Sequence, residues 1–395
     1  MTAYLNALGV ICALGRGKSE VARRLLAGDS SGMQRYPEPV AGRSLPVGMV
    51  ITQLPALDNE ALRHRTRNNR LLLAAADEIA GDIEAAIARF GNSRIGVVIG
   101  TSTSGIQEAT RGLAGLVRQG TLPADYHYGH QELSAPAAFL SERLRLSGPS
   151  YAISTACTSG ARAILSARRL LDAGICDAVL CGGVDTLCDL TLQGFSALEA
   201  TSDRLCNPFS ANRNGINIGE AAALFLMTRD AAPIALLGGG ASSDAHHISA
   251  PEPGGLGAIE AMRKALFSAS TAAEEIRYLN LHGTATAHND AMESQAVAAV
   301  FPAGVPCSSS KPMTGHTLGA AGALEAAFCW LALSAHNPDG LLPPHLWDGE
   351  PDPALPRLRF TAVGEAATSS GPRRMMSNSF AFGGNNISLI LGDAP

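Results

Sequence analysis

The stretch Tyr151-Ala152-Ile153-Ser154-Thr155-Ala156-Cys157-Thr158-Ser159-Gly160-Ala161-Arg162-Ala163-Ile164 decides how this chain is read. A short β-branched run ends at Thr155, a corner of small residues follows, and an Ala-rich helical pattern begins. That order places Cys157 on a strand-to-helix turn, at the N-terminus of a helix. Free backbone N–H groups and the helix dipole at such a place favour thiolate over thiol. A tight turn also leaves a nucleophile open on one side and rigid on the other, as in other nucleophile elbows. A buried core cysteine is the bland reading of the same residues. The rest of the chain has to separate the two.

Strands and helices alternate outward from this turn, which predicts an α/β architecture. Strands are expected at 94–99, 178–180 and 223–227 in one half, and near 278–281, 306–309 and 387–391 in the other. Helices are expected at 71–89, 159–173, 257–268, 290–300 and 318–334. The strand before Cys157 and the strand before Lys311 look like counterparts, as a duplicated α/β unit would produce. A boundary near Ala231 divides the chain into 1–231, carrying the cysteine, and 232–395.

Composition narrows the class. A chain of 395 residues suits one large or two medium domains, and 46% hydrophobic residues supply a sizeable core. A net charge of −5 gives no reason to expect bulk nucleic-acid or anionic-membrane binding. The eight cysteines are scattered, with no Cys-x-x-Cys pair, so neither a metal ribbon nor a thioredoxin-like site is expected, and no metal is assigned. The first residues lack a basic n-region and a cleavage site. No apolar run reaches the ~20 residues of a membrane span. A soluble cytoplasmic protein is the expectation.

Four further segments carry chemistry. Leu281-His282-Gly283-Thr284-Ala285-Thr286 follows a strand and precedes Asp290 and Glu293. Ser310-Lys311-Pro312-Met313-Thr314-Gly315-His316 leads into Leu318-Gly319-Ala320-Ala321-Gly322-Ala323-Leu324-Glu325. Asn378-Ser379-Phe380-Ala381-Phe382-Gly383-Gly384-Asn385-Asn386 lies near the C-terminus, and Ser242-Ser243-Asp244-Ala245-His246-His247 opens the second half. One histidine at a strand end is usually structural. Two of them, each in a Gly/Thr turn, together with a cysteine elbow and a lysine, reverse that reading.

With these motifs in hand, the chain resembles the β-ketoacyl-acyl carrier protein synthases that condense malonyl units with a Cys-His-His set. The similarity runs nearly end to end. It implies a thiolase fold of five layers, αβαβα, with two similar halves. It implies that Cys157 takes an acyl chain from the phosphopantetheine arm of a carrier protein as a thioester. Decarboxylation of a malonyl unit on a second carrier then yields the enolate that attacks this thioester. Both steps build negative charge on a thioester oxygen, so two sets of donors are required.

The resemblance gives the backbone N–H groups of Cys157 and Phe382 to the oxyanion hole, with the Phe382 ring as a gate. It sets His282 and His316 against the malonyl thioester, with His282 also a candidate to activate water against the departing carboxylate. Lys311 is expected in a network near His316. Glu325 joins that network from an apolar helix, where an unpaired carboxylate would be costly. Thr284, Thr286 and Ser249 match pantetheine contacts, and Phe195 a pocket aromatic. Arg63, Arg65, Arg67, Arg70 and Arg213 fall where the family docks its acidic carrier. No resident cofactor is implied, because phosphopantetheine arrives on the carrier. The implied partners are that carrier and a second synthase chain, as a homodimer or as a heterodimer with a chain-length factor.

Several positions depart from the family pattern. Ala381 stands where Gly is usual, which is expected to stiffen the gating loop. Asn385 replaces Thr, and Ser210 and Asn214 replace acidic residues around Asn212-Arg213. The stretch Gly100-Thr101-Ser102-Thr103-Ser104-Gly105 is more polar than its Gly-rich equivalent. Together they imply a specialised synthase, of the type II polyketide or aryl-polyene kind. Degradative thiolases need a second cysteine near the C-terminus, and none follows Cys329. Initiating synthases use Asn where His316 stands. A chain-length factor would lack the nucleophile.

Overall fold

Two lengths of chain fold with the same strand order and meet at one sheet edge. The computed structural model describes residues 2–36, 40, 42–367 and 371–395. In the first half, β1 is Ala3–Cys12, β2 Ile95–Gly100, β3 Ser150–Ile153, β4 Ala178–Asp185 and β5 Ala221–Thr228. In the second, β6 is Ile234–Ser243, β7 Tyr278–Asn280, β8 Pro306–Ser308, β9 Arg359–Phe360, β10 Arg374–Ala381 and β11 Asn385–Asp393.

The first half runs β3-β2-β4-β5-β1 and the second β8-β7-β10-β11-β6, with β9 added outside β8. The strand senses repeat as well. β3–β2 and β2–β4 are parallel, and β4–β5 and β5–β1 antiparallel. Their counterparts β8–β7 and β7–β10 are parallel, and β10–β11 and β11–β6 antiparallel. Only Ala3–Leu236 and Tyr4–Ala235 pair across the joint between β1 and β6. The strand before Cys157 and the strand before Lys311 are therefore counterparts in topology.

Helices complete the layers. Define α1 as Arg67–Glu78, α2 as Ser159–Asp172, α3 as Leu256–Ser268, α4 as Ala287–Val300 and α5 as Ala321–Leu333. α2 packs on β2 and β4 and reaches β11, while α5 packs on β10 and β11 and reaches β4 and β5. These two helices thus lie between the sheets. α5 is buried on every side except at Trp330, as its sequence, apolar but for Glu325, requires. α1 and Ala135–Arg143 cover the first sheet from outside, and α3, with α4 against it, covers the second. The result is the five-layer αβαβα arrangement. The central helices cross where a Cβ on Gly160 would lie 2.8 Å from the Ala323 backbone nitrogen, so only glycine permits this approach.

Three expectations change. The helix expected at 71–89 is two helices, Arg67–Glu78 and Ala80–Phe90, parted at Ile79. The Glu78 carboxylate accepts from the backbone nitrogens of Val10 and Lys18, which ties the break to β1. The helix expected from Leu318 starts as a 3₁₀ turn and becomes α-helical at Ala321. The segment around Asn378 and Ser379, where no strand was expected, is most of the buried strand β10. Asn378 Oδ1 accepts from Ser388 Oγ at 2.7 Å. Among the described residues no helix is long and apolar enough to cross a membrane.

Candidate active site

β3 delivers Cys157. Past Ile153 the chain turns through Ala156, at a φ of +53°. A non-glycine residue rarely adopts that left-handed conformation. Hydroxyls hold the corner. The Thr155 nitrogen donates to Ser159 Oγ at 2.9 Å, Ser159 Oγ donates to the Ala156 carbonyl at 2.6 Å, and Thr158 Oγ1 donates to the Thr155 carbonyl at 2.7 Å. The strand-to-helix elbow is present. Cys157 is only 7% exposed, and burial pushes its thiol up to about 12, against the opposing charge of Lys311. Desolvation therefore works against the thiolate that a helix terminus favours.

His316 sits on the turn between β8 and α5. The Leu318 backbone N–H donates to His316 Nδ1 at 3.1 Å, so the hydrogen of the neutral ring is on Nε2. That Nε2–H meets Cys157 Sγ at 3.0 Å. His282 follows β7. Glu293 of α4 accepts from the backbone nitrogens of His282 and Gly283, each at 2.7 Å. Asp290 accepts from Ala285 at 3.2 Å and from Phe209 at 2.7 Å. Two acids in the first turns of one helix therefore brace the His-Gly-Thr turn. Burial pushes Glu293 up to about 7 and Asp290 up to about 6, against these backbone donors.

Lys311 is buried between the two histidine turns. Its Nζ donates to Glu325 Oε1 at 2.5 Å and to the His282 carbonyl, and faces His282 Nδ1 at 3.4 Å. The expected Lys311–Glu325 pair is present, but its direct contacts are with His282 rather than His316. Burial pushes Glu325 up to about 7, against the attraction of Lys311. It also holds both histidines well below the usual imidazole range, and the Lys311 charge acts the same way. Both rings are therefore neutral near pH 7, and both present an Nε2–H. They stand edge to face with centroids 5.2 Å apart.

The Cys157, His282 and His316 ligand atoms lie within 4.8 Å of one another, near enough to surround a metal ion. The wiring disfavours that use. Metal-bound histidines donate their second ring nitrogen to an acceptor. Here one Nδ1 faces a backbone N–H and the other an ammonium.

The three side chains open on a cavity of about 370 Å³. Its walls include Thr284, Thr286 and Ser249, the three residues matched to pantetheine. Thr284 Oγ1 and Thr286 Oγ1 are 2.9 Å apart. Phe195 and Phe382 also line it, with ring centroids 5.7 Å apart. Phe382 is 40% exposed and precedes Gly383 and Gly384, which have φ of +79° and +70°. Ala381 is extended at a φ of −126°, so the residue expected to stiffen the loop is unstrained here.

The five arginines differ in how the chain engages them. Arg67 donates to both oxygens of the fully buried Glu220, at 2.8 and 2.5 Å, and to the Val50 carbonyl at 3.0 Å. Arg70 donates to the carbonyls of Pro55 and Leu54. Arg213 pairs with Asp352 at 2.6 Å and keeps only 11% of its side chain exposed. These three guanidiniums are engaged inside the chain and do not form a free basic face. Arg63, paired with Glu142, and Arg65 are exposed, and none of the five lines the cavity. The sequence reading assigned no role to Asp290 or Glu293. Their signal was two acids at the start of a helix directly after the His-Gly-Thr turn.

This geometry agrees with comparison to known proteins. The N-terminal domain model of the beta-ketoacyl synthases matches residues 6–232 and the C-terminal one residues 234–346. The chain belongs to the beta-ketoacyl synthase family of condensing acyltransferases. It is 30% identical to 3-oxoacyl-[acyl-carrier-protein] synthase 2 of Coxiella burnetii (strain RSA 493 / Nine Mile phase I), over 98% of this chain and 97% of that one. Among solved structures it is similar to the ketosynthase (ApeO) in complex with its chain length factor (ApeC) from Xenorhabdus doucetiae. That match has 46% identity and a TM-score of 0.93 and covers 100% of this chain and 98% of the other. The ishigamide ketosynthase/chain length factor follows at 27% identity and a TM-score of 0.88, covering 100% and 99%.

Proposed function

We propose that this chain builds a β-ketoacyl thioester in two half-reactions, with Cys157 as the acyl acceptor and His282 and His316 as the donors for condensation. The Cys157 sulfur attacks the carbonyl of an acyl thioester on a carrier protein. The thiol proton leaves with the departing pantetheine sulfur, and the acyl chain remains on Cys157. A malonyl thioester then enters the same cavity. Its C–C bond to the carboxylate breaks, CO₂ leaves, and the electron pair moves into an enolate. The enolate carbon attacks the Cys157 thioester, and the tetrahedral intermediate expels the sulfur as a thiolate, which takes a proton from solvent water.

The observation that carries this reading is the tautomer of the two rings. Each Nδ1 faces a donor, so each Nε2–H is available to the enolate oxygen. On this account His282 acts as a donor and not as a base toward water. Donors fixed before charge develops are the main source of catalysis at such oxyanions. The backbone N–H groups of Cys157 and Phe382 serve the oxyanion on the acyl-enzyme. Lys311 and Glu325 hold the His282 turn. Thr284, Thr286 and Ser249 offer hydroxyls to the amides of the arm. None of these steps calls for a resident cofactor.

The partners on this reading are an acyl carrier protein and a second synthase-like chain. Arg63 and Arg65 are retained as carrier-docking candidates. β3 ends the sheet among the described residues, and the helix Ile106–Gln119, which follows β2, exposes Leu113, Leu116 and Val117. An open strand edge and exposed apolar residues each suit a partner surface. The likeness to a ketosynthase solved with its chain length factor favours the active subunit of such a pair, in specialised polyketide-type chain building. Residues 1–231 and 232–395 are read as two thiolase-like units, in line with the repeated strand order. Eight free, buried thiols suit the cytoplasm. Intact mass after incubation with an acyl-carrier thioester tests the assignment. One acyl group is expected on the wild-type chain and none on Cys157→Ala. An adduct retained by the variant would refute it.

A further inference from the structure

The polar loop after β2 has no part in the reaction as written, yet it is built around one carboxylate. Asp185, the last residue of β4, is fully buried. Six donor atoms converge on it. Thr101 Oγ1 approaches at 2.6 Å, Ser102 Oγ at 2.5 Å and Thr103 Oγ1 at 2.7 Å. The backbone nitrogens of Ser102 and Thr103 lie at 2.9 Å. The sixth donor comes from the other half of the molecule. The Gly319 backbone nitrogen donates to Asp185 Oδ2 at 2.6 Å and approaches Ser102 Oγ at 3.0 Å.

That last bond bears on His316. Gly319 follows Leu318, which is held at a φ of +52°. A branched apolar residue does not adopt this conformation without being forced. The strained Leu318 supplies the N–H that fixes His316 Nδ1 at 3.1 Å. A Cβ on Gly319 would sit 2.7 Å from Asp185 Oδ2, so the carboxylate occupies the space a side chain would need. The connection is continuous, from Asp185 to the Gly319 N–H, to the Leu318 N–H, to the His316 ring, to Cys157 Sγ.

We propose that Asp185 is a positioning residue that holds the turn after His316, and with it the His316 tautomer that presents Nε2–H beside Cys157. It touches neither the sulfur nor the cavity. The inference rests on the reading of His316 as a donor in condensation, and it adds what keeps the donor in place. An uncharged Asn at 185 keeps the shape but puts an NH₂ where a carboxylate oxygen now accepts. Six donors then compete for fewer acceptor sites, and the Gly319 contact crosses from the other half without any chain continuity to restore it.

The test joins spectroscopy to kinetics. In ¹⁵N-histidine-labelled protein, with the His316 signals assigned by their loss in His316→Gln, the wild type should show an unprotonated Nδ1 and a protonated Nε2. Asp185→Asn should shift His316 toward mixed tautomers. Condensation kcat should fall roughly ten- to hundred-fold, as for other partners that orient a working histidine. The KM for the malonyl carrier and the extent of acyl loading on Cys157 should stay near wild type. Ser102→Ala, a milder change at the same carboxylate, should move both readouts the same way by less, and it covers the case in which Asp185→Asn does not fold. A folded Asp185→Asn or Ser102→Ala protein with an unchanged His316 tautomer overturns the inference, whatever its turnover. So does a parallel loss of loading and condensation with the tautomer intact. Wild-type condensation by His316→Ala would instead overturn the donor reading beneath it.

Discussion

The two halves share a strand order, yet they treat the junction between the outermost parallel strand and the central helix differently. In the first half, β3 passes to α2 through residues 154–158, a short corner held by hydroxyls, with Cys157 on it. In the second, β8 passes to α5 through the longer stretch 309–320, which contains the short helix Lys311–Thr314 and the His316 turn. The extra chain carries a histidine across the molecular pseudo-symmetry to the sulfur of the other half. One junction supplies a buried thiol at the wall of the cavity. The other gathers buried ionisable groups. On the proposed reading, a repeated strand order thus carries a nucleophile on one side and its donors on the other, with the chemistry at the seam.

If the seam divides labour this way, damage to the second half should separate the half-reactions. His282→Ala and His316→Ala should each slow condensation by about 3 kcal/mol in barrier, on the order of a hundred-fold, as for other preorganised oxyanion donors. Single-turnover loading of Cys157 should change far less. Equal losses in both half-reactions would abolish the division.

A second effect concerns stability rather than rate. Lys311→Met leaves Glu325 buried without its partner and should cost about 3–5 kcal/mol by denaturant melt. The double variant Lys311→Met/Glu325→Leu should recover most of that stability but not condensation. Recovery of both would reduce the pair to a packing device.

The buried acids also predict a pH signature confined to the second half. Glu293, at about 7 in the fold against an ordinary 4.5, binds more proton folded than unfolded between those values. Its contribution therefore falls as pH rises from about 5 to about 7. The two histidines, held low, act in the opposite sense, destabilising the fold as pH drops below 6.5. Glu293→Gln removes the first contribution and keeps the second. Its Tm should thus rise more steeply with pH over that window than that of the wild type. An identical or shallower slope would contradict the assigned burial.

The smallest effect is expected at the gate. Ala381 is extended at a φ of −126°. Ala381→Gly should leave the profile of acyl chain lengths loaded on Cys157 close to wild type. A broadened profile would show that the loop visits conformations alanine resists.

What could be read from the sequence was local. The elbow follows from small residues between a β-branched run and an Ala-rich helix, and the histidine turns from their Gly and Thr neighbours. The strand alternation fixed the α/β class. What escaped depends on partners far away in the chain. Arg67 looked like one cation in a basic run because Glu220 lies 153 positions away. Asn378 gave no sign of a buried strand because its side-chain partners, Met262 and Ser388, lie on other elements. The thiol of Cys157 looked activated because burial is a property of the assembled layers, not of the turn. Asp185 lies beyond the strand expected at 178–180 and drew no reading, because the Gly319 nitrogen that binds it comes from the other half.

The most direct test of the seam is a rapid-quench experiment on His316→Ala, given acyl carrier first and malonyl carrier second, with the protein and the product both weighed by mass spectrometry. The account predicts one acyl group on Cys157, nearly as much as in the wild type, and β-ketoacyl product slowed on the order of a hundred-fold. An unacylated variant, or one that forms product at the wild-type rate, would contradict it.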